Sequence, residues 1–221
     1  MNDIKLKEAI KILRRHAGNW NAPALKNDYG YRRTPYTVTI SVILSFRTKD
    51  EVTQTAGERL FALADTPEKM VMLSKEEIEK AIYPVGFYRK KAQTILDISR
   101  YLLEHCDGRV PDTEAQLLKI KGIGPKAAAI ILERAFGQTV VAVDTHVHRI
   151  LNLWDYLQTP TPEASYEALK TRLTNTEKAG LNRLLVAFGQ SVCRPRAPRC
   201  EICPVSHLCH NSQNKTEGNV S

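Results

Sequence analysis

Apolar residues recur at helical spacing along most of the chain. Leu6, Ile10, Leu13 and Ala17 fall three or four apart in the first segment, as do Val52, Ala56, Leu60 and Leu63 further on. Ala92, Ile95, Leu96, Ser99, Leu102 and Leu103 predict a longer helix ending near Gly108, and Ala128, Ile131, Leu132 and Ala135 predict another. Start signals agree with these stripes. Thr34-Pro35 and Thr66-Pro67 each read as an N-cap followed by proline at the first helical position, and Asp50 reads as a third cap. Ser74 with Glu77 and Thr113 with Gln116 have the spacing of capping boxes. No segment alternates in the manner of a strand, and the VVAV run before Asp144 is too short to decide by itself. The predicted class is all-α.

Residues 28–137 read as a run of short helices with tight connections, the size of a compact domain. The part after Gln138 differs in character, closing on a cysteine cluster and a polar stretch, 212–221, expected to be disordered. The first helix has no evident partner among its sequence neighbours.

Charge narrows the function. Thirty-two Lys and Arg against 24 Asp and Glu leave a net charge of +8 on 221 residues, which points to a polyanion, nucleic acid before membrane. Apolar runs are only a few residues long, so no membrane-spanning helix is expected. The first residues alternate charge with apolar side chains and show no secretory signal, so a cytoplasmic protein is expected. Of five cysteines, four crowd into the last stretch, a pattern that favours a metal site over a disulfide framework.

The segment Leu117 to Leu132, LLKIKGIGPKAAAIIL, carries the first candidate chemistry. Gly122 and Gly124 let the backbone approach another surface, and Pro125 presets the first turn of the next helix. Such a turn is an αα-hairpin by itself. With Lys119 and Lys121 beside it, the free amides of the second helix form a seat for a nucleic-acid phosphate. Lys126 lies in that first turn, where the helix dipole disfavours a cation and so favours the neutral amine that a nucleophilic lysine needs. A lysine contacting a phosphate is the plainer reading. Asp144 precedes THVHRI and reads as an N-cap, a fixed negative charge that would also suit stabilisation of a cationic sugar. His146 and His148, two apart, cannot share one helix face, so no metal pair is expected there.

Cys193, Cys200, Cys203 and Cys209 follow C-x6-C-x2-C-x5-C, enough thiolates for a [4Fe–4S] cluster, with tetrahedral zinc as the rival. The intervening RPRAPR places Arg194, Arg196 and Arg199 on a proline-stiffened loop pinned at both ends, a candidate phosphate clamp. Cys106, at the end of an apolar helix, reads as a packed core thiol.

Taken together, PYTVTISVILSFRTKD, IYPVGFYRKKA, KGIGPKAA, VAVDTHVHRI and the cysteine loop resemble the endonuclease III family of DNA glycosylases over nearly the whole chain. The resemblance implies a helix-hairpin-helix glycosylase fold of two helical lobes with a DNA-binding cleft between them. One lobe would be a helical barrel at 28–137, the other an iron–sulfur domain built from 1–27 and 138–211. It implies that Lys126 and Asp144 are catalytic and that the four cysteines hold [4Fe–4S]. It further implies that Arg47, Phe87, Lys121, Gly122, Gly124, Arg194, Arg196 and Arg199 contact DNA. The expected activity is base excision repair on double-stranded DNA by a monomer: removal of damaged, oxidised pyrimidines and Schiff-base cleavage of the abasic site. Arg47 departs from the glutamine that many bifunctional members carry, which leaves a mismatch-type uracil or thymine glycosylase as an alternative. A non-catalytic DNA-binding module is the other. Phe87 matches the family's apolar wedge, with core packing as its plainer reading.

Overall fold

Local capping chemistry sets most helix starts. In the computed structural model, which describes residues 1–22, 31–209 and 211, Thr34 closes a reciprocal box: its hydroxyl accepts from Thr37 N at 3.1 Å, and Thr34 N donates to Thr37 Oγ1 at 2.8 Å. Helix α2 (Pro35–Ser45) follows. Ser74 and Glu77 form the same device ahead of α5 (Lys75–Ile82), and the Thr66 hydroxyl caps α4 (Pro67–Met70). Two expected caps differ. Helix α3 (Asp50–Leu63) starts one residue earlier than expected, so Asp50 lies in its first turn beside the dipole instead of capping it. Thr113 precedes α7 (Glu114–Leu117), but its hydroxyl donates to the Gln116 side chain at 2.6 Å instead of accepting a backbone N–H.

The chain divides into two units, Asn27–Gln138 and Met1–Lys26 with Thr139–Ser221. The first is built around α2, whose residues Tyr36 to Ile40 and Val42 to Leu44 are all buried. A helix that is apolar on every side must be enclosed, and α2 packs against α3, α6 (Tyr88–His105) and α8 (Pro125–Phe136). Ala56, Leu60 and Phe61 supply the buried face of α3, while Leu63 is exposed, because the face rotates towards the aromatic ring. At its centre the Tyr36 hydroxyl meets Ser99 Oγ at 2.7 Å, where burial holds the phenol in its neutral form. Cys106 is not a core thiol: it is the half-exposed C-cap of α6, its thiol pushed up by burial and then by neighbouring Asp107.

In the other unit, α1 (Asp3–His16) buries Leu6, Ala9, Ile10 and Leu13 in a core shared with α9 (Thr145–Leu153) and α12 (Leu181–Ser191). Trp154 and Phe188 are its largest fully buried side chains. Helices α10 (Pro162–Arg172) and α11 (Asn175–Lys178) pack on α9 and α12 respectively. The VVAV run forms no strand, and the described residues contain helices, turns and irregular chain only. No helix among them is long and apolar enough to cross a membrane. Residues 212–221 lie outside the described residues.

Candidate functional site

In the first unit the hairpin is plugged into the core by Ile120 and Ile123, which are buried, while Lys121, Gly122 and Gly124 between and beside them are exposed. Gly122 has φ +97, and a Cβ there would lie 2.6 Å from Thr94 Cγ2, so this turn needs glycine on both conformational and steric grounds. Gly124 is the exposed N-cap of α8 and has no side chain with which to cap the first turn. Lys126 stands in that first turn, half-buried, with Nζ 5.3 Å from the centre of the Phe46 ring.

Phe46 leads directly to the next two candidates. It is the C-cap of α2, and Arg47 follows it in the left-handed region at φ 52. Phe87, also left-handed at φ 59, lies under the Arg47 guanidinium at 5.5 Å. At 56% exposure Phe87 is not a core residue. Two non-glycine residues in this conformation, stacked on one another at a surface, mark a place where the backbone carries strain. Lys126, Phe46, Arg47 and Phe87 therefore form one continuous patch, from an amine to an exposed ring.

In the second unit Asp144 is the N-cap of α9. Its Oδ1 accepts from His146 N and Val147 N, both at 2.9 Å. His146 and His148 diverge as expected: the first lies against Gly189, and the second faces Ser165 Oγ at 2.7 Å. Further along α9, Arg149 donates to Cys193 Sγ at 3.6 Å and also to the Cys193 carbonyl.

All four cysteines of the C-terminal loop line a single cavity of about 360 Å³, together with Arg149, Arg194 and Arg199. Arg196 is exposed on the same loop but does not line it. None of the four is in a disulfide. Burial pushes the Cys203 thiol up to about 11 and raises that of Cys193 against the Arg149 hydrogen bond. At both positions burial penalises the anion, so neither thiol is an activated free nucleophile. Four thiols around one cavity supply one thiolate for each iron of a four-iron cluster.

Three residues escaped the sequence reading. Lys91 is only 8% exposed, and its Nζ donates to Leu44 O at 2.8 Å, Phe46 O at 2.6 Å and Thr48 Oγ1 at 3.1 Å. Burial pushes its amine down to about 8. The signal was present, since Lys91 lies on the buried stripe of Ile95, Ile98 and Leu102 at helical spacing. Thr48 and Arg149 gave no such sign, because their partners lie 38 and 44 residues away in sequence.

Residues 40–175 match the family model of the HhH-GPD superfamily of base excision DNA repair proteins, and residues 193–209 match the iron–sulfur binding domain of endonuclease III. The all-helical fold and the glycine hairpin thus define an HhH-GPD DNA glycosylase. Endonuclease III of Thermotoga maritima is 41% identical over 84% of this chain and 87% of its own length. Endonuclease III of Escherichia coli strain K12 is 32% identical over 95% of this chain and 96% of its own. A solved structure of a trapped covalent endonuclease III–DNA intermediate, with an estranged adenine, superposes with a TM-score of 0.82 at 27% identity, covering 96% of this chain and 98% of that one. The chain belongs to the endonuclease III family. It is a DNA-binding base excision repair enzyme, a glycosylase and AP lyase, and its cofactor is a [4Fe–4S] cluster.

Proposed function

We propose that this enzyme, acting as a monomer in the cytoplasm, removes oxidised pyrimidines from double-stranded DNA and cleaves the resulting abasic site through Lys126. The observation that carries the reading is the continuous patch from Lys126 through Phe46 to the Arg47–Phe87 stack. The anomeric carbon of a stacked nucleotide cannot be reached in a duplex, so the damaged nucleotide must be extruded. Phe87 inserts as an apolar wedge, and Arg47 occupies the gap left behind and meets the orphaned base. The α8 amides at Gly124, with Lys121, hold a backbone phosphate. Arg194, Arg196 and Arg199 hold others.

Lys126 as a neutral amine attacks C1′, the bond from C1′ to the base breaks, and the base departs with a proton. Ring opening leaves a protonated imine between Nζ and C1′. Loss of a C2′ proton then expels the 3′ phosphate, and hydrolysis of the imine returns the lysine. Asp144, anchored through Oδ1 at the head of α9, supplies negative charge opposite the cationic sugar and assists the proton transfers. Cys193, Cys200, Cys203 and Cys209 would hold the cluster, and ligation through Cys193 and Cys200 would fix both ends of the arginine loop.

Borohydride reduction in the presence of a duplex containing thymine glycol or an abasic site tests the reading. Wild-type protein should be trapped covalently on DNA and Lys126→Ala should not. Equal trapping of the two would remove Lys126 from the mechanism, and a panel of oxidised and mismatched bases separates pyrimidine repair from a mismatch glycosylase.

A further inference from the structure

A buried ammonium, that of Lys91, fastens the segment that carries Arg47 of the Arg47–Phe87 stack. Lys91 uses all three of its protons on the segment that carries Arg47. It reaches Leu44 O and Phe46 O, carbonyls that the end of α2 leaves without helical partners, and the Thr48 hydroxyl on the other side of Arg47. Its own backbone N–H donates to Phe87 O at 3.0 Å. Thr48 extends the link, because its Oγ1 also accepts from Gly86 N at 3.1 Å, the residue immediately before Phe87. Gly86 packs so closely that a Cβ there would lie 2.5 Å from Arg47 O. Lys91 therefore ties together both left-handed residues, its ammonium holding the Arg47 segment and its backbone N–H the Phe87 carbonyl, where the two backbones must touch for their side chains to stack.

A helix C-terminus accepts a lysine readily at a surface. Burying the ammonium forgoes its hydration, and a cap alone would not require that. What the buried position adds is a fixed distance between two strained loops.

We propose that Lys91 is a positioning residue for DNA engagement, holding Arg47 and Phe87 in the geometry in which the pair enters the duplex. This rests on the reading of Arg47 and Phe87 as the inserting pair. Lys91 touches no DNA itself and acts through the backbone on either side of Arg47.

The test compares Lys91→Met, which keeps the length and loses the donors, with Phe87→Ala and with the double variant. Single-turnover cleavage is measured on an abasic site in duplex and in single-stranded DNA, with 2-aminopurine opposite the site reporting unstacking. Lys91→Met should lose activity on duplex on the order of 10²-fold, as a displaced functional group does, together with the 2-aminopurine signal. It should keep near wild-type cleavage of the single strand, where nothing has to be wedged apart. The double variant should be no slower on duplex than Lys91→Met alone, since loss of the strut already disables the wedge. Additive losses, or equal losses on duplex and single strand, would overturn the positioning role. An inert Phe87→Ala would instead remove the wedge reading beneath it. If Lys91→Met does not fold, Thr48→Val cuts the link to Gly86 while the α2 carbonyls keep their ammonium. It must then show the same duplex-only loss, and wild-type duplex activity in it would refute the proposal.

Discussion

Asp144 caps a helix and is assigned a charge in the reaction, and two substitutions separate these roles. Its Oδ1 takes two backbone N–H groups at 2.9 Å, from His146 and Val147. The helix it starts buries Val147, Ile150 and Leu151 in the core of its unit. Removing an N-cap costs about 1–2 kcal/mol where the helix is packed. In a chain of this size each kcal/mol lowers Tm by about 2–4 °C. Asp144→Ala should therefore melt a few degrees below wild type. Asparagine caps about as well as aspartate, so Asp144→Asn should melt with wild type while its single-turnover rate on thymine glycol falls on the order of 10²-fold or more, the scale of a lost electrostatic stabiliser. Thermal melts and rapid-quench kinetics on both variants decide the matter. Wild-type turnover by Asp144→Asn would show that the charge does no chemistry, and an unchanged Tm in Asp144→Ala would show that the two bonds contribute nothing to the unit.

Other consequences are checked more simply. Replacing Arg194, Arg196 and Arg199 with alanine should weaken DNA binding across sequences and make the slope of log K against log salt shallower by about 3, close to one for each phosphate lost; an unchanged slope removes the loop from the binding surface. Protein purified without oxygen should contain equal iron and acid-labile sulfide, and Cys203→Ser should lose both; zinc in their place would refute the cluster assignment. Lys91 binds its proton with a pKa of about 8 when folded and about 10.4 when unfolded. Between these values the unfolded chain holds the extra proton, so this group adds stability as pH rises from 8 to 10 and costs stability below 8. Chemical denaturation of Lys91→Met should lack that rise, and parallel pH profiles would place the ammonium in a less costly environment.

The helices were legible because their causes are local. Thr34, Thr66 and Ser74 cap where the spacing says, since a cap and its amides lie within a single turn. Asp50 and Leu63 misled for a related reason: several residues could start α3 or face its core, and packing rotates the helix to bury Phe61 in place of Leu63. The hairpin, Lys126 and the cysteine spacing were visible as motifs because each is contiguous or nearly so.

What the sequence determined alone was the material: an all-helical chain, a basic balance, four thiols in a short loop, an amine at a helix start and a carboxylate at another. Only the tertiary structure decided which of these meet. Lys126 lies over Phe46, 80 residues earlier in the chain, Arg47 stacks on Phe87, and Arg149 reaches Cys193. Lys91 reads in sequence as one more basic residue among RKK and in space as a buried strut. Spacing along a helix specifies a face. What that face touches depends on how distant helices pack, and a buried charge acquires its meaning from partners that no local pattern encodes.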